Sequence, residues 1–264
     1  MIKKLLILAA ATATAAMPLR ATAQWRAELG PAFCYASVSE NKQSGERVVH
    51  ESGALPGIAA ALSHRADRLE TFGAARAFRG ALDYDGQLQN GIGHQTKTDT
   101  RLAQAQLGLR YHYRENTRLI AALEYDDWER NIRGDDVALG LREHTRSRRL
   151  LLGAERAWQM AAAGTLIVGA TLIKAEPERL DVHFSGLFDD ASMRTRAATG
   201  YAAELAFRPA AYPKLLLSAK AEYMKVPRSG AVLVRRNGNP AGDITQPEHV
   251  RQSISFFLRY VFAD

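Results

Sequence analysis

Cysteine is almost absent from this chain. Cys34 stands alone, so no internal disulfide can form, and the expected role for it is a small apolar residue on the first strand. Downstream of Gln24 no stretch approaches the ~18 consecutive apolar residues of a spanning helix, which excludes helical membrane spans. His-Glu-x-x-His, a phosphate-binding glycine loop and a nucleophile elbow are all missing. His50, His64, His94, His112, His144 and His249 fall at no metal-ligand spacing, so neither a metal nor any other cofactor is expected. Strong net charge is missing as well. The formal +7 includes Lys3, Lys4 and Arg20 near the N-terminus, and removing those three leaves +4. That mild excess fits contact with lipid phosphate and does not call for nucleic acid.

At the front, Lys3 and Lys4 precede an apolar run from Leu5 to Met17, and Ala21-Thr22-Ala23 precedes Gln24. This is the three-part layout of a secretory signal, so residues 1–23 are expected to be a cleaved leader and 24–264 the mature chain. At the other end, Val250, Ile254, Phe256, Leu258, Tyr260 and Phe262 fall on one face of an extended segment. Arg251, Ser253, Ser255 and Arg259 fall on the other. Two-residue alternation closing on an aromatic is how a membrane strand reads, one side toward lipid and the other toward a wet lumen.

Ten such segments follow one another, near 25–38, 53–65, 68–81, 99–113, 117–130, 144–158, 165–176, 194–208, 214–226 and 249–262. Their connections alternate between short turns and long loops, the long ones over 39–52, 82–98, 131–143, 177–193 and 227–248. The pattern predicts an all-β fold: a transmembrane antiparallel up-and-down barrel of about ten strands, with eight or twelve as neighbouring solutions, short periplasmic turns and long extracellular loops. A soluble antiparallel sheet also alternates, but here aromatics gather at segment ends. Trp25, Tyr113, Trp158, Phe207 and Phe262 would line the short-turn end, and Tyr35, Tyr125 and Tyr223 the long-loop end, as membrane interfaces select. The expected location is therefore the outer membrane, as a monomer handled by the assembly machinery of that membrane.

The inward set carries both signs: Glu28, Arg110, Glu124, Asp126, Arg130, Glu204, Arg208, Lys220, Glu222, Arg251 and Arg259. Charges confined in a narrow lumen must pair, because an unpaired one costs at least ~3 kcal/mol. A plugged scaffold is expected, with a narrow channel as the competing outcome. Arg146, Arg148 and Arg149 beside the third loop, and Arg235 and Arg236 in the fifth, suit the phosphates of lipopolysaccharide. Asn237-Gly238 reads as the turn of a hairpin above the membrane.

By strand number and length the mature chain resembles outer-membrane barrels of the ten-stranded, omptin-sized class. Its aromatic last strand is similar to the sorting signal of such families, although Ala263 and Asp264 follow Phe262 here. Within the long loops, Asp83-Tyr84-Asp85 and Asp181-Val182-His183 match the Asp-x-Asp and Asp-x-His pairs of omptin proteases. The resemblance implies that Asp83 and Asp85 hold and activate a water while His183, oriented by Asp181, acts as base. Read without the resemblance, Asp83 to Gly86 is a turn at a strand end. Function is thus expected to be structural or surface-interacting, with an omptin-like endopeptidase as the alternative.

Overall fold

The computed structural model describes residues 24–88 and 91–263; the leader read over 1–23 lies outside them. Fourteen strands are present among the described residues: β1 Gln24–Asn41, β2 Arg47–Ala66, β3 Leu69–Gln87, β4 Gly93–Arg114, β5 Thr117–Ile132, β6 Leu141–Gln159, β7 Gly164–Ala175, β8 Arg179–His183, β9 Ala191–Arg194, β10 Ala198–Pro209, β11 Leu215–Val226, β12 Val232–Arg236, β13 Asn239–Ile244 and β14 Glu248–Ala263. Ten form the wall, ordered β5-β4-β3-β2-β1-β14-β11-β10-β7-β6, and pairing of β5 with β6 closes it. Every wall pairing is antiparallel.

The register fixes the dimensions of the cylinder. Tyr35 pairs directly with Ala54 on β2. Followed the other way round the wall, the partners run through Ile254, Ala221, Ala203, Ala170, Ala154, Leu119, Tyr111 and Leu69 to Ala66 on that same strand. The walk thus returns twelve residues farther along β2. With a rise of about 3.3 Å per residue and strands about 4.8 Å apart, ten strands and this stagger give a tilt of about 40° and a backbone cylinder about 20 Å across. Such a lumen is within reach of long side chains from opposite walls.

Alternation sorts the residues as the sequence predicts. Leu29, Phe33 and Tyr35 on β1, Leu107 and Leu109 on β4, Leu119 and Leu123 on β5 and Ile254, Phe256 and Leu258 on β14 face outward and are exposed, because lipid takes the place of water around them. Trp25, Tyr113, Trp158 and Phe262 mark one end of this band. Tyr35 and Tyr125 mark the other, where Tyr201 and Tyr223 stack with ring centroids 5.1 Å apart. The second, third and seventh segments alternate poorly in sequence and correspond to β2, β3 and β7; on β2 and β3 part of the lumen wall is apolar. Ala32, Cys34, Leu55, Ala59, Phe78, Leu82 and Phe257 form a buried cluster inside the barrel.

Two expectations about the loops need correction. The strands outrun the membrane, so 39–52 and 82–98 are mostly strand rather than loop, and Asp83-Tyr84-Asp85 lies within β3 instead of forming a turn. The last two long loops are also structured. β8 and β9 extend the wall beyond β6, and β12 and β13 form a separate hairpin turned by Asn237 and Gly238, both at positive φ (52° and 80°). Leu180, Val182 and Met193 pack with Val232 and Ile244 between these two hairpins, giving the extracellular end a small core of its own.

Candidate functional site

The lumen charges assemble in three tiers. In the extracellular tier Arg130 donates to Glu51 (2.8 and 3.1 Å), to Glu40 (2.9 Å) and to Glu143 (2.6 Å). Thr98 donates to Glu51 at 2.7 Å and Gln246 to Glu40 at 3.3 Å. Three carboxylates therefore share one guanidinium. Burial pushes the Glu143 carboxyl above its ordinary value; Arg130 pulls it back, while Glu40 and Glu51 add to the rise.

In the middle tier, fully buried Arg149 ion-pairs with Asp126 (2.7 Å), Glu222 (3.1 Å) and Glu124 (3.2 Å). Arg76 reaches Glu124 at 3.1 Å and Glu222 at 3.6 Å, and it also bonds Gln104. Lys220 holds Glu222 at 2.8 Å, and Arg251 lies 3.0 Å from Asp126 and 3.4 Å from Glu178. Four cations thus meet four carboxylates. Asp126 on β5 and Arg251 on β14 come from strands five places apart in a ring of ten, so this pair crosses the full bore. Trp128 packs between tiers, with the guanidinium carbons of Arg251 and Arg130 4.4 and 5.1 Å from its ring centroid. At the upper edge of this tier, burial would raise the carboxyl of Glu178, but His249, Arg251 and Arg149 outweigh it and hold the group at about 2. His249 Nε2 stands 3.4 Å from it.

The periplasmic tier is looser. Glu28 pairs with Arg26 (2.7 Å) and Arg259 (3.1 Å), Glu70 with Arg110 (2.7 Å) and His112 (3.1 Å), and Arg118 with Glu155 (2.7 Å). Glu204 stands 3.7 Å from Arg259, and Arg208 is half-buried nearby on β10. Between this tier and the middle one lies a cavity of about 150 Å³.

Glu124, Asp126, Arg130, Lys220, Glu222 and Arg251, named from sequence, therefore meet in the upper two tiers, and Glu204 and Arg259 in the lower. Sequence reading missed Arg76, Glu40, Glu51, Glu143 and Glu178. It also placed Arg149 on the outer rim, whereas the side chain is wholly buried in the bore. On β6 the inward positions are Glu143, Thr145, Ser147 and Arg149, so the parity of the strand would have found it.

The omptin-like residues lie elsewhere. Asp83 and Asp85 are exposed on the outer face of β3, 3.0 Å from Lys97 and 4.0 Å from Arg47 respectively. His183 Nδ1 is 2.6 Å from Asp190 rather than held by Asp181. Asp181 is taken up by Arg146, Arg179 and Ser192.

By fold the chain is similar to the outer membrane protease OmpT from Escherichia coli, with a TM-score of 0.59 and 10% identity over 91% of this chain and 96% of that one. The fold is that of an omptin-sized outer-membrane barrel. The translocator domain of the autotransporter NalP from Neisseria meningitidis aligns with a TM-score of 0.48 and 12% identity, covering 90% of this chain and 88% of that one. Neisserial surface protein A gives 0.38 and 11%, covering 90% and 97%. No protein-family model and no curated protein sequence matches. The closed wall with an apolar band outside places the barrel in the outer membrane.

Proposed function

We propose that this protein is a monomeric surface-interaction scaffold of the outer membrane whose bore is closed. The observation that carries the reading is the middle tier. Its ion pairs join opposite walls across a cylinder about 20 Å wide, and opening a path would mean separating buried charges at several kcal/mol each. What such a barrel offers a partner is its extracellular end, where Arg148, Arg235 and Arg236 suit the phosphates of outer-leaflet lipopolysaccharide. The fold likeness to a protease favours a second reading, endopeptidase action, but the outward aim of Asp83 and Asp85 supports it less than the closed bore supports the first.

One set of measurements separates these readings. Refolded protein in planar bilayers should show no conductance steps; steps that survive loop deletion would establish a channel. Incubation with a fluorogenic basic peptide should leave it intact. Cleavage that disappears in both Asp85→Ala and His183→Ala would establish the protease instead.

A further inference from the structure

On the outer face, just beyond Tyr125 toward the extracellular side, three ligand groups converge. Asp127 and Glu129 are two residues apart on β5 and so point the same way. His144 on β6 is the cross-strand partner of Glu129. One ligand atom from each of the three lies within 4.8 Å of the others, and His144 Nε2 is 3.0 Å from Asp127 Oδ2. Glu129 makes no ion pair or hydrogen bond among the described residues, and no ion pair joins it to Arg101 opposite on β4. Arg146, the cross-strand partner of Asp127 on β6, is held by Asp181 on β8. A third carboxylate thus engages the neighbouring arginine and leaves Asp127 and Glu129 to face the imidazole.

We propose that Asp127, Glu129 and His144 form a binding site for a divalent transition-metal ion of the zinc class. One imidazole and two carboxylates are ligands that zinc accepts at about 2.0–2.2 Å, which sets ligand atoms of one ion about 3.0–3.5 Å apart. His144 and Asp127 already stand at that spacing, on a paired ladder that fixes their backbones, and Glu129 closes the rest by rotating an unengaged side chain. The remaining coordination positions face the medium, where water completes the shell. An ion there ties β5 to β6 at the extracellular edge. This site is independent of the bore and of the role proposed for it.

The test is calorimetric titration of zinc chloride into the untagged, refolded full chain in detergent micelles at pH 7.5. Saturable uptake of one ion per chain is expected. His144→Ala should weaken it by more than the roughly 10–100-fold that loss of an outer-shell partner costs, with Asp127→Asn and Glu129→Gln acting in the same direction. His94→Ala should leave it unchanged, since that imidazole has a single carboxylate, Asp135, at 3.6 Å. All three ligands are partly solvent-exposed, and strand content by circular dichroism checks that each variant is folded. Absence of saturable uptake by the unaltered protein, or a loss smaller than about tenfold in His144→Ala, overturns the proposal.

Discussion

Replacing Arg149 by methionine keeps most of the side-chain volume and removes one charge from the middle tier. Four cations (Arg76, Arg149, Lys220 and Arg251) face four carboxylates (Glu124, Asp126, Glu178 and Glu222) there, so Arg149→Met leaves one negative charge without compensation in a buried network. Its three partners each keep another cation: Glu124 keeps Arg76, Asp126 keeps Arg251 and Glu222 keeps Lys220. The loss is therefore that of one buried charge rather than of three separate pairs. Breaking a buried pair on one side costs about 3–5 kcal/mol. At a urea slope of about 2 kcal/mol per M, the unfolding midpoint should fall by about 2 M. Urea titration in micelles, followed by tryptophan fluorescence, reads this directly, because Trp128 packs against Arg251 and Arg130 beside the tier. Adding Asp126→Asn restores three against three and should recover at least half of the shift, a coupling that independent sites would not show. A midpoint lowered by less than about 0.5 M, or a double variant less stable than the sum of the singles, would refute charge balance as what stabilises the middle tier.

Glu178→Gln should cost about 3 kcal/mol at neutral pH, because the carboxyl is held at about 2 in the folded protein against an ordinary value of 4.5. A depressed carboxylate contributes fully above its unfolded value and less as pH falls, so the gap between the two proteins should narrow below pH 4.5 and close near pH 2; urea midpoints showing a constant gap would contradict this. Gly30 lies at the seam where β1 meets β14, and a Cβ there would come 1.8 Å from the carbonyl oxygen of Leu258. Gly30→Val should therefore fail to refold by circular dichroism, whereas Gly93→Ala, with open space around its Cβ, should refold normally.

How much of this was legible in the sequence depends on whether the signal was local. Alternation is local, so all ten wall strands, and the outward faces of those that alternate cleanly, could be read from residue parity, down to the exposed Ile254, Phe256 and Leu258 against buried Ser255. β2 and β3 resisted because alanines and glycines sit on both faces, while Phe72 and Phe78, which hydropathy alone assigns to lipid, point inward. The Phe72 ring lies 3.9 Å from the guanidinium carbon of Arg110, a contact between neighbouring strands that no spacing along the chain reveals. Loop boundaries failed for a related reason. Polar residues such as Ser39, Glu51 and Asp85 look like loop, yet beyond the membrane both faces of a strand can be polar, since water takes over from lipid.

The same reasoning explains which parts of the sites could not be seen. Glu40, Glu51 and Glu143 lie in phase with the inward positions of their strands, so parity carried to the strand ends would have placed them inside. Glu143 is the direct cross-strand partner of Arg130, but that Glu40 and Glu51 share the same guanidinium depends on the stagger of the closed wall, which brings β1 and β2 to β5 across the bore. The Asp127, Glu129 and His144 set follows the same rule. Two members are neighbours at strand spacing, and the third arrives from the next strand at a distance along the chain set by a loop. A motif search tuned to helical spacing passes over such a site, because in a sheet the partner of a ligand is fixed by register. For a barrel of this kind, strand register is thus the quantity that turns a sequence into a list of facing side chains, and a two-residue slip between β5 and β6 would dissolve both the Arg149 pairs and the outer-face site together.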